Sequence, residues 1–185
     1  MTGHDSGVSD SAPMNEAAIP VSPDAGVPVG DGASSEGATP SIDCTTIVAC
    51  NLLTSDDVTR AMGMSLGTGM ESDTPVSGGV HDYCFYGGMN GAPNVALNLE
   101  CNPNAGFSPA TLKQMVPSTA TAVSGVGDAA YWDPAGDASD GPSDLYVVVG
   151  SEVVINISYT PGTTPVTVDL LTAAEAMATA VAGRL

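Results

Sequence analysis

The sequence predicts an α+β fold: an antiparallel sheet backed by a short N-terminal and a longer C-terminal helix, preceded by a disordered acidic tail. Strand-like alternation of apolar residues occurs in the middle of the chain, at Asn94–Cys101 and at residues 153–159. Helical spacing occurs instead on either side of these segments. Strands in the middle with helices at both ends are typical of the α+β class. The 185 residues suffice for one domain, residues 43–185, and a tail, residues 1–42.

The tail is rich in Gly, Ser, Pro, Ala and Asp and contains no aromatic residue. Its few larger apolar residues follow neither the helical nor the strand period, so they form no face whose burial would offset the entropy of ordering the chain. The first 43 residues carry 7 acids and no base. We therefore expect residues 1–42 to be a disordered acidic linker.

Charge excludes one large class of function. The chain has 21 acidic and 3 basic residues, a formal net charge of -18, and the segment 44–185 alone has 14 acids against 3 bases. Nucleic-acid binding requires basic side chains that neutralise phosphates, and this sequence lacks them. No apolar run reaches the roughly 18 to 20 residues of a membrane span, so we expect no transmembrane segment.

The first helix has the clearest signals. Thr54 can cap a helix whose third residue is Asp57, Leu53 can pack on Val58, and Gly63 supplies the stop. These signals predict a helix over Ser55–Met62. Further along, Ser108 followed by a proline predicts a second short helix that ends near residue 117.

The strands are predicted from alternation and from turn residues. Residues 83–86 and Asn94–Cys101 flank a loop rich in Gly, Asn and Pro, which predicts a hairpin. Residues 145–149 and 153–159 are joined through Gly150 and Ser151, a pair suited to a two-residue type II′ turn. After the second hairpin, helical spacing predicts an amphipathic C-terminal helix that covers the sheet; it is formed by Val168, Leu171, Met177 or Ala178, Val181 and Leu185.

The four cysteines lie in the first half of the domain, and none forms the close C-x-x-C pair typical of zinc sites. An even cysteine count behind a long polar leader favours an oxidising, extracytoplasmic setting with two disulfides. The alternative is a cytoplasmic protein with reduced, buried cysteines. Reflecting Cys84 through the first hairpin loop places it opposite about Leu97, so a bond from Cys84 to Cys101 is awkward. We favour Cys50 with Cys84, and Cys44 with Cys101.

The N-terminal residues carry no visible export signal. Residues 1–10 have neither a basic region nor an apolar core, and residues 41–43 do not form a lipobox before Cys44. If the protein is exported, we expect its signal sequence, and any lipidated cysteine that anchors it, to lie upstream of Met1.

Two motifs suggest catalysis and are outweighed by their context. Residues 63–67 match the G-x-S-x-G motif that would make Ser65 a nucleophile, but the motif follows a helix where a hydrolase has a strand. His81 stands next to Asp82, yet neighbours in a strand point to opposite faces, which prevents their pairing. We predict no catalytic residue, and a small hydrolase ranks third among the functional hypotheses.

Metal binding is the second hypothesis. Several convergent thioethers would select Cu(I), with His81 as a conceivable fourth ligand; the methionines concerned are Met62, Met64 and Met70. A dense acidic loop could bind Ca²⁺, although its spacing is not that of an EF-hand; its acids are Asp133, Asp137, Asp140 and Asp144. Tyr131 and Trp132 are candidates for lining a pocket, and a core position is the alternative for Trp132.

The order of features resembles the DUF3558-like domains of small bacterial envelope lipoproteins. The resemblance covers about residues 43–185. It rests on Cys50-Asn51-Leu52-Leu53-Thr54, Asp57-Val58, Ala61-Met62-Gly63, Tyr83-Cys84-Phe85-Tyr86, the run from Gly125 to Trp132, the second hairpin and the Ala-rich terminal helix. It implies an α+β domain, a disulfide between Cys50 and Cys84, and a membrane tether through a lipidated cysteine. This chain departs from it in the extra pair Cys44 and Cys101.

The sequence therefore predicts a non-enzymatic, extracytoplasmic binding or interaction module of the cell envelope. Its partner is expected to be an unidentified ligand or envelope protein, and we expect no cofactor. The alternative is an extracytoplasmic metal-binding protein.

Overall fold

Alternating apolar and polar residues build one seven-stranded antiparallel sheet, and helices pack against it, which confirms the α+β class. The computed structural model describes residues 42–76, 79–87, 93–134, 141–163 and 166–185, all within the compact unit Thr39–Leu185. The predicted linker, apart from its last residue Ile42, lies outside the described residues.

The sheet is assembled from both predicted hairpins. Its strands in chain order are β1 (Met70–Val76), β2 (Gly79–Gly87), β3 (Asn94–Cys101), β4 (Thr121–Val123), β5 (Ala129–Asp133), β6 (Ser143–Val149) and β7 (Val153–Thr160). They are arranged in the order β1-β2-β3-β7-β6-β5-β4, with all neighbours antiparallel. The pairing of β3 with β7 joins the two hairpins into one sheet.

Every described helix except the one that begins at Ala49 starts after a residue whose side chain accepts a backbone N–H group. A short 3-10 turn (Cys44–Thr46) precedes α1 (Ala49–Leu52), α2 (Ser55–Met62), α3 (Pro109–Met115) and α4 (Leu170–Ala182). α2 has the predicted bounds, with a capping box between Thr54 and Asp57 and a left-handed Gly63 after its last residue. Ser108 forms a second capping box at α3, and Asp169 caps α4.

The register divides the side chains between two faces of the sheet. One row of cross-strand partners, Cys84–Leu97–Ile157–Leu145–Trp132, lies on the core face, where the buried side chains of α2 and α4 join the main hydrophobic cluster. The next row, Tyr83–Asn98–Asn156–Tyr146–Tyr131, points the other way. We call this second side the α3 face, because α3 packs on part of it.

The second hairpin differs from its prediction in one detail. Val149 pairs with Val153, which leaves three residues in the connection, so the predicted two-residue type II′ turn is wrong. Gly150 has a φ of 60°, and this left-handed conformation explains why a glycine stands there.

Both predicted disulfides are confirmed. Cys50 is bonded to Cys84 and Cys44 to Cys101, and the register places Cys84 opposite Leu97, as the reflection of the hairpin loop predicted. The bonds join residues 34 and 57 positions apart in sequence. By the chain-entropy account, loops of that length are worth roughly 4 kcal/mol each.

The packing of α2 against α4 includes an ion pair between Asp57 and Arg184. Asp57 is only 7% exposed, and the Arg184 guanidinium donates to both of its carboxylate oxygens, at 2.7 and 3.1 Å. The same guanidinium donates to the carbonyl of Leu52, at the end of α1. The hydrogen bond from Arg184 holds the pKa of Asp57 well below its usual range, although burial opposes this shift.

Replacing Arg184 is expected to destabilise the domain. Arg184→Met removes three charge-assisted hydrogen bonds, two to Asp57 and one to the carbonyl of Leu52, but keeps the aliphatic stem. Because Arg184 is 38% exposed, we expect a loss in the lower half of the roughly 1.5–3 kcal/mol typical of such bonds. The matched control is Arg60→Met. Arg60 also contacts Asp57, at 3.4 Å, but is 78% exposed, so its loss should cost less than about 0.5 kcal/mol.

Urea unfolding of the three proteins at several pH values measures both effects. The contribution of Arg184 is full above about pH 4, the ordinary pKa of an aspartate in the unfolded chain. It is lost as the pH falls from there through the lowered folded-state pKa, because Asp57 then takes up a proton on unfolding. Equal destabilisation by both variants, or a difference that does not depend on pH, would contradict this account.

Candidate functional site

The candidate site lies on the α3 face, where, among the described residues, the short helix packs on only part of the sheet. α3 packs mainly on β5 and β6, through a small cluster in which Leu112 and Val116 meet Val148 and Val154. Beyond this cluster, the face continues over β7, β3 and β2 with half-buried polar and aromatic side chains. A sheet face that carries such side chains beside an apolar patch combines the two elements of a ligand site.

A cavity of about 140 Å³ opens at the edge of α3. Three groups of side chains form it: an apolar part from the helix and β7, a ring from β6, and polar groups from β2, β3 and β7. Its lining residues are His81, Asn98, Glu100, Leu112, Met115, Tyr146, Val154 and Asn156. Drug-sized ligands occupy cavities of about 300–1,000 Å³, so this one fits a single small group.

A ladder of polar side chains crosses three strands at the cavity. The amide nitrogen of Asn98 donates to the Oδ1 atom of Asn156, and the amide nitrogen of Asn156 donates to the Oδ1 atom of Asp144, each over 3.1 Å. Adjacent strands hold these residues as direct partners or close diagonals. The ladder fixes the amide orientations and thus sets which atoms remain free to meet a ligand.

The tyrosines of this face differ in their surroundings. Burial, together with the carboxylates of Asp144 and Asp133, raises the pKa of Tyr146 to about 12, so its phenol stays neutral and can donate a hydrogen bond. Its cross-strand partner Tyr131 lies under the Nζ atom of Lys113, which is 4.7 Å from the ring centroid. This face therefore already holds one cation over a tyrosine ring.

On the opposite side of the cavity, β2 contributes aromatic surface. The rings of Tyr83 and Phe85 stack with centroids 6.4 Å apart, and both residues are half-buried. Burial raises the pKa of Tyr83 as well. The α3 face thus presents aromatic rings on both sides of the amide ladder.

The sequence-based prediction of site residues missed Asn98, Glu100, Tyr146 and Asn156. Alternation already assigned Asn98 and Glu100 to the face opposite Val95 and Leu97, but it could not show what lies beside them. Their neighbours come from β7 and β6, about 50 residues further along the chain. One signal in the sequence could have indicated these residues: the two most regular strands each have an asparagine near their centre, Asn98 and Asn156.

Of the predicted calcium ligands, the structure brings two together. Asp133 and Asp144 are direct cross-strand partners at the ends of β5 and β6. Asp133 accepts a hydrogen bond from Thr119 at 2.7 Å, while Asp144 accepts the one from Asn156. Asp137 and Asp140 lie outside the described residues.

The three methionines of the copper hypothesis are in different environments. Met62 is 3% exposed and belongs to the core, and Met64 packs against that core. Met70 is 54% exposed and is the cross-strand partner of Phe85, which places it on the α3 face. Because the core and the α3 face lie on opposite sides of the sheet, no observation brings these thioethers together.

Other predicted residues are separated in the same way. Trp132 lies in the core, whereas its neighbour Tyr131 lies on the α3 face, so the two do not line one surface. His81 is exposed on the α3 face, while Asp82 is buried on the other side. Ser65 lies in an exposed loop, where its Oγ atom accepts an N–H from Gly67 at 3.4 Å.

Two carboxylates and a disulfide meet at the N-terminus of α1. Asp82, 1% exposed, accepts the N–H groups of Ala49 and of Tyr83, one on each oxygen, and Glu71 accepts the N–H of Cys50 at 2.8 Å. One carboxylate oxygen of Glu71 and the Sγ atoms of Cys50 and Cys84 lie within 4.8 Å of one another. The sulfur atoms are bonded to each other, so this cluster offers no thiolate to a metal.

Within the described residues, no helix has the length and apolar character needed to cross a bilayer. No family model, no curated protein and no solved structure matches this chain.

The carboxylate pair predicts a second dependence of stability on pH. Burial, followed by the neighbouring Asp82, raises the pKa of Glu71, so the folded state favours its protonated form. Stability from this group is full below the ordinary glutamate pKa of about 4.3 and is lost as the pH rises through the raised folded value. Glu71→Gln keeps an acceptor for Cys50 and removes the charge, so it should be as stable as the wild type or more so at pH 7.

Asp82→Asn is the contrasting variant. An asparagine has one acceptor oxygen where Asp82 uses two, so a buried N–H loses its partner, at a cost of about 1–3 kcal/mol. Thermal or urea unfolding of both variants at pH 4, 5.5 and 7 checks the pair. The gain in unfolding free energy from Glu71→Gln should shrink as the pH falls toward 4. If Glu71→Gln is instead destabilised by the same amount at all three pH values, the account of the carboxylate pair is refuted.

Proposed function

We propose that residues 43–185 form a non-enzymatic, extracytoplasmic binding module of the cell envelope, which binds its ligand in the cavity of the α3 face. The observation that carries this proposal is the composition of the cavity. Apolar side chains from α3, one tyrosine ring and several hydrogen-bonding groups converge there from four strands and a helix. Such convergence on a rigid sheet is typical of binding sites.

The position of the polar groups supports the proposal. β3 and β7 are at the centre of the sheet, where apolar residues would add to stability if α3 extended over them. These strands instead carry asparagines at paired positions, in a ladder that holds the amides in one arrangement. A fixed amide gives a binding site directionality that a flexible surface side chain lacks.

The extracytoplasmic location rests on the cysteines. All four are paired, and disulfides persist in oxidising compartments and are rare in the cytosol. The resemblance to DUF3558-like domains would place the module at the envelope, and that assignment stays a prediction.

Calcium binding is the second candidate function. The specific observation that favours it is the direct pairing of Asp133 with Asp144, because it brings two of the predicted ligands to the base of one loop. A calcium ion would displace the hydrogen bonds that Thr119 and Asn156 now donate to these carboxylates.

A ligand screen followed by amide chemical shifts tests the binding function. We expect at least one class of neutral, cationic or anionic fragment to shift the backbone amides of β3, β6 and β7 saturably. Tyr146→Ala should abolish these shifts because it removes the ring of the cavity, and Tyr131→Phe should retain them because it only removes a hydroxyl outside the cavity. Shifts by Ca²⁺ alone, confined to Asp133 and Asp144, would favour the calcium function. Shifts confined to α2 and α4, or none with any class, would refute the proposal.

The redox state tests the compartment. Protein isolated from its own host under alkylating, non-reducing conditions should have an intact mass four hydrogens below that of the reduced chain and no alkylated cysteine. Full alkylation of the four cysteines would contradict an extracytoplasmic location.

A further inference from the structure

We propose that the cavity on the α3 face binds the guanidinium group of an arginine side chain, presented by a basic segment of a partner polypeptide. This inference rests on the proposed binding function and specifies its ligand. It is carried by the charges, rings and acceptors that surround the cavity.

Glu100 supplies a negative charge to the cavity. This half-buried residue of β3 lines the cavity directly opposite His81 on β2. Within the described ranges, the Glu100 carboxylate takes part in neither of the two ion pairs and in none of the side-chain hydrogen bonds. A carboxylate that is partly removed from water without a partner favours a cationic ligand, which compensates for the lost hydration.

Tyrosine rings offer a cation an aromatic surface. Tyr146 contributes its ring to the cavity, and its cross-strand partner Tyr131 already lies beneath the Nζ atom of Lys113. The face therefore shows, with its own lysine, how a cation is held above a tyrosine ring. A guanidinium is planar and less strongly hydrated than an ammonium group, so it suits the neighbouring ring of Tyr146 better.

The shape of the cavity and its hydrogen-bond acceptors suit an arginine side chain. Leu112, Met115 and Val154 supply an apolar surface for the methylene groups of an arginine side chain, and about 140 Å³ suits one side chain. Asn98 donates to Asn156, and within the described residues its own Oδ1 atom accepts no hydrogen bond. Together with the two Glu100 oxygens, it offers acceptors to the five N–H groups of a guanidinium.

The charge of the domain and the extent of the α3 face favour an arginine that belongs to a polypeptide. The sequence from residue 44 onward has 14 acids and 3 bases, so its field attracts a basic partner. The α3 face also extends beyond the cavity, past Asp144 and Asp133 on one side and the Tyr83–Phe85 stack on the other. Five strands span about 19 Å at the usual spacing, which exceeds one amino acid and matches an extended basic segment.

Titration of amide chemical shifts with matched probes tests this inference. N-acetyl-arginine amide and N-acetyl-citrulline amide have nearly the same shape, but only the first is charged. We expect the arginine probe to shift the amides of residues 98–100, 146 and 154–156 with at least tenfold higher affinity. A peptide with two arginines separated by glycine should bind at least tenfold more tightly than the single residue, because it also reaches the aspartates.

Two variants separate local pairing from overall charge. Glu100→Gln should weaken binding of the arginine probe at least tenfold, because it removes the unpaired carboxylate of the cavity. Glu175→Gln changes the net charge equally but lies on α4, which packs on the core face, so it should leave the affinity within twofold.

The outcomes distinguish this inference from the binding function on which it rests. Equal binding of the citrulline probe, or an unchanged affinity of Glu100→Gln, would refute the arginine site. If N-acetylglucosamine or an anionic fragment shifts the cavity amides and the arginine probe does not, the binding function stands and this inference fails. If the single amino acid binds as tightly as the peptide, the partner polypeptide is refuted. If no probe shifts the cavity amides, both proposals fail.

Discussion

The pairing of β3 with β7 is the constraint on which the rest of this structure depends. Residues 94–101 and 153–160 meet in one register, and a shift of one residue would turn the apolar side of one strand toward the polar side of the other. With the observed register, Leu97 and Ile157 join the core, and Asn98 and Asn156 form the ladder of the α3 face. Core and candidate site are therefore two results of the same alignment.

The helices and disulfides reinforce this alignment from the core face. α4 packs on β6 and β7, α2 packs on α4, and the bond from Cys50 to Cys84 ties α1 to β2. The ion pair of Asp57 with Arg184 joins α2 to the residues that follow α4. On the α3 face, by contrast, the packed helix is the seven-residue α3, so most of the helix–sheet contacts among the described residues lie on the core face.

Sequence reasoning predicted the elements whose signals are local. α2, with its capping box and Gly63, occupies ten residues that carry the signals for it, and the hairpin of β2 and β3 fixes its own register. β1 was missed because it is an acidic, proline-containing edge strand without alternation, which only its pairing with β2 makes extended. The cavity was missed because it requires β3, β7 and β6 to be neighbours, and no local pattern states that order.

The long separation in sequence between paired elements also sets the order of folding events. The central pair β3–β7 forms only after residues 153–160 are present, and Arg184 contacts Leu52 across 132 positions. Folds dominated by such distant contacts form slowly, because loop closure precedes the stabilising contacts. The sheet and the core of a nascent chain therefore stay incomplete until β7 and the C-terminal helix have been made. If the proposed extracytoplasmic location holds, that delay suits a chain that crosses a membrane before it folds and forms its disulfides afterwards.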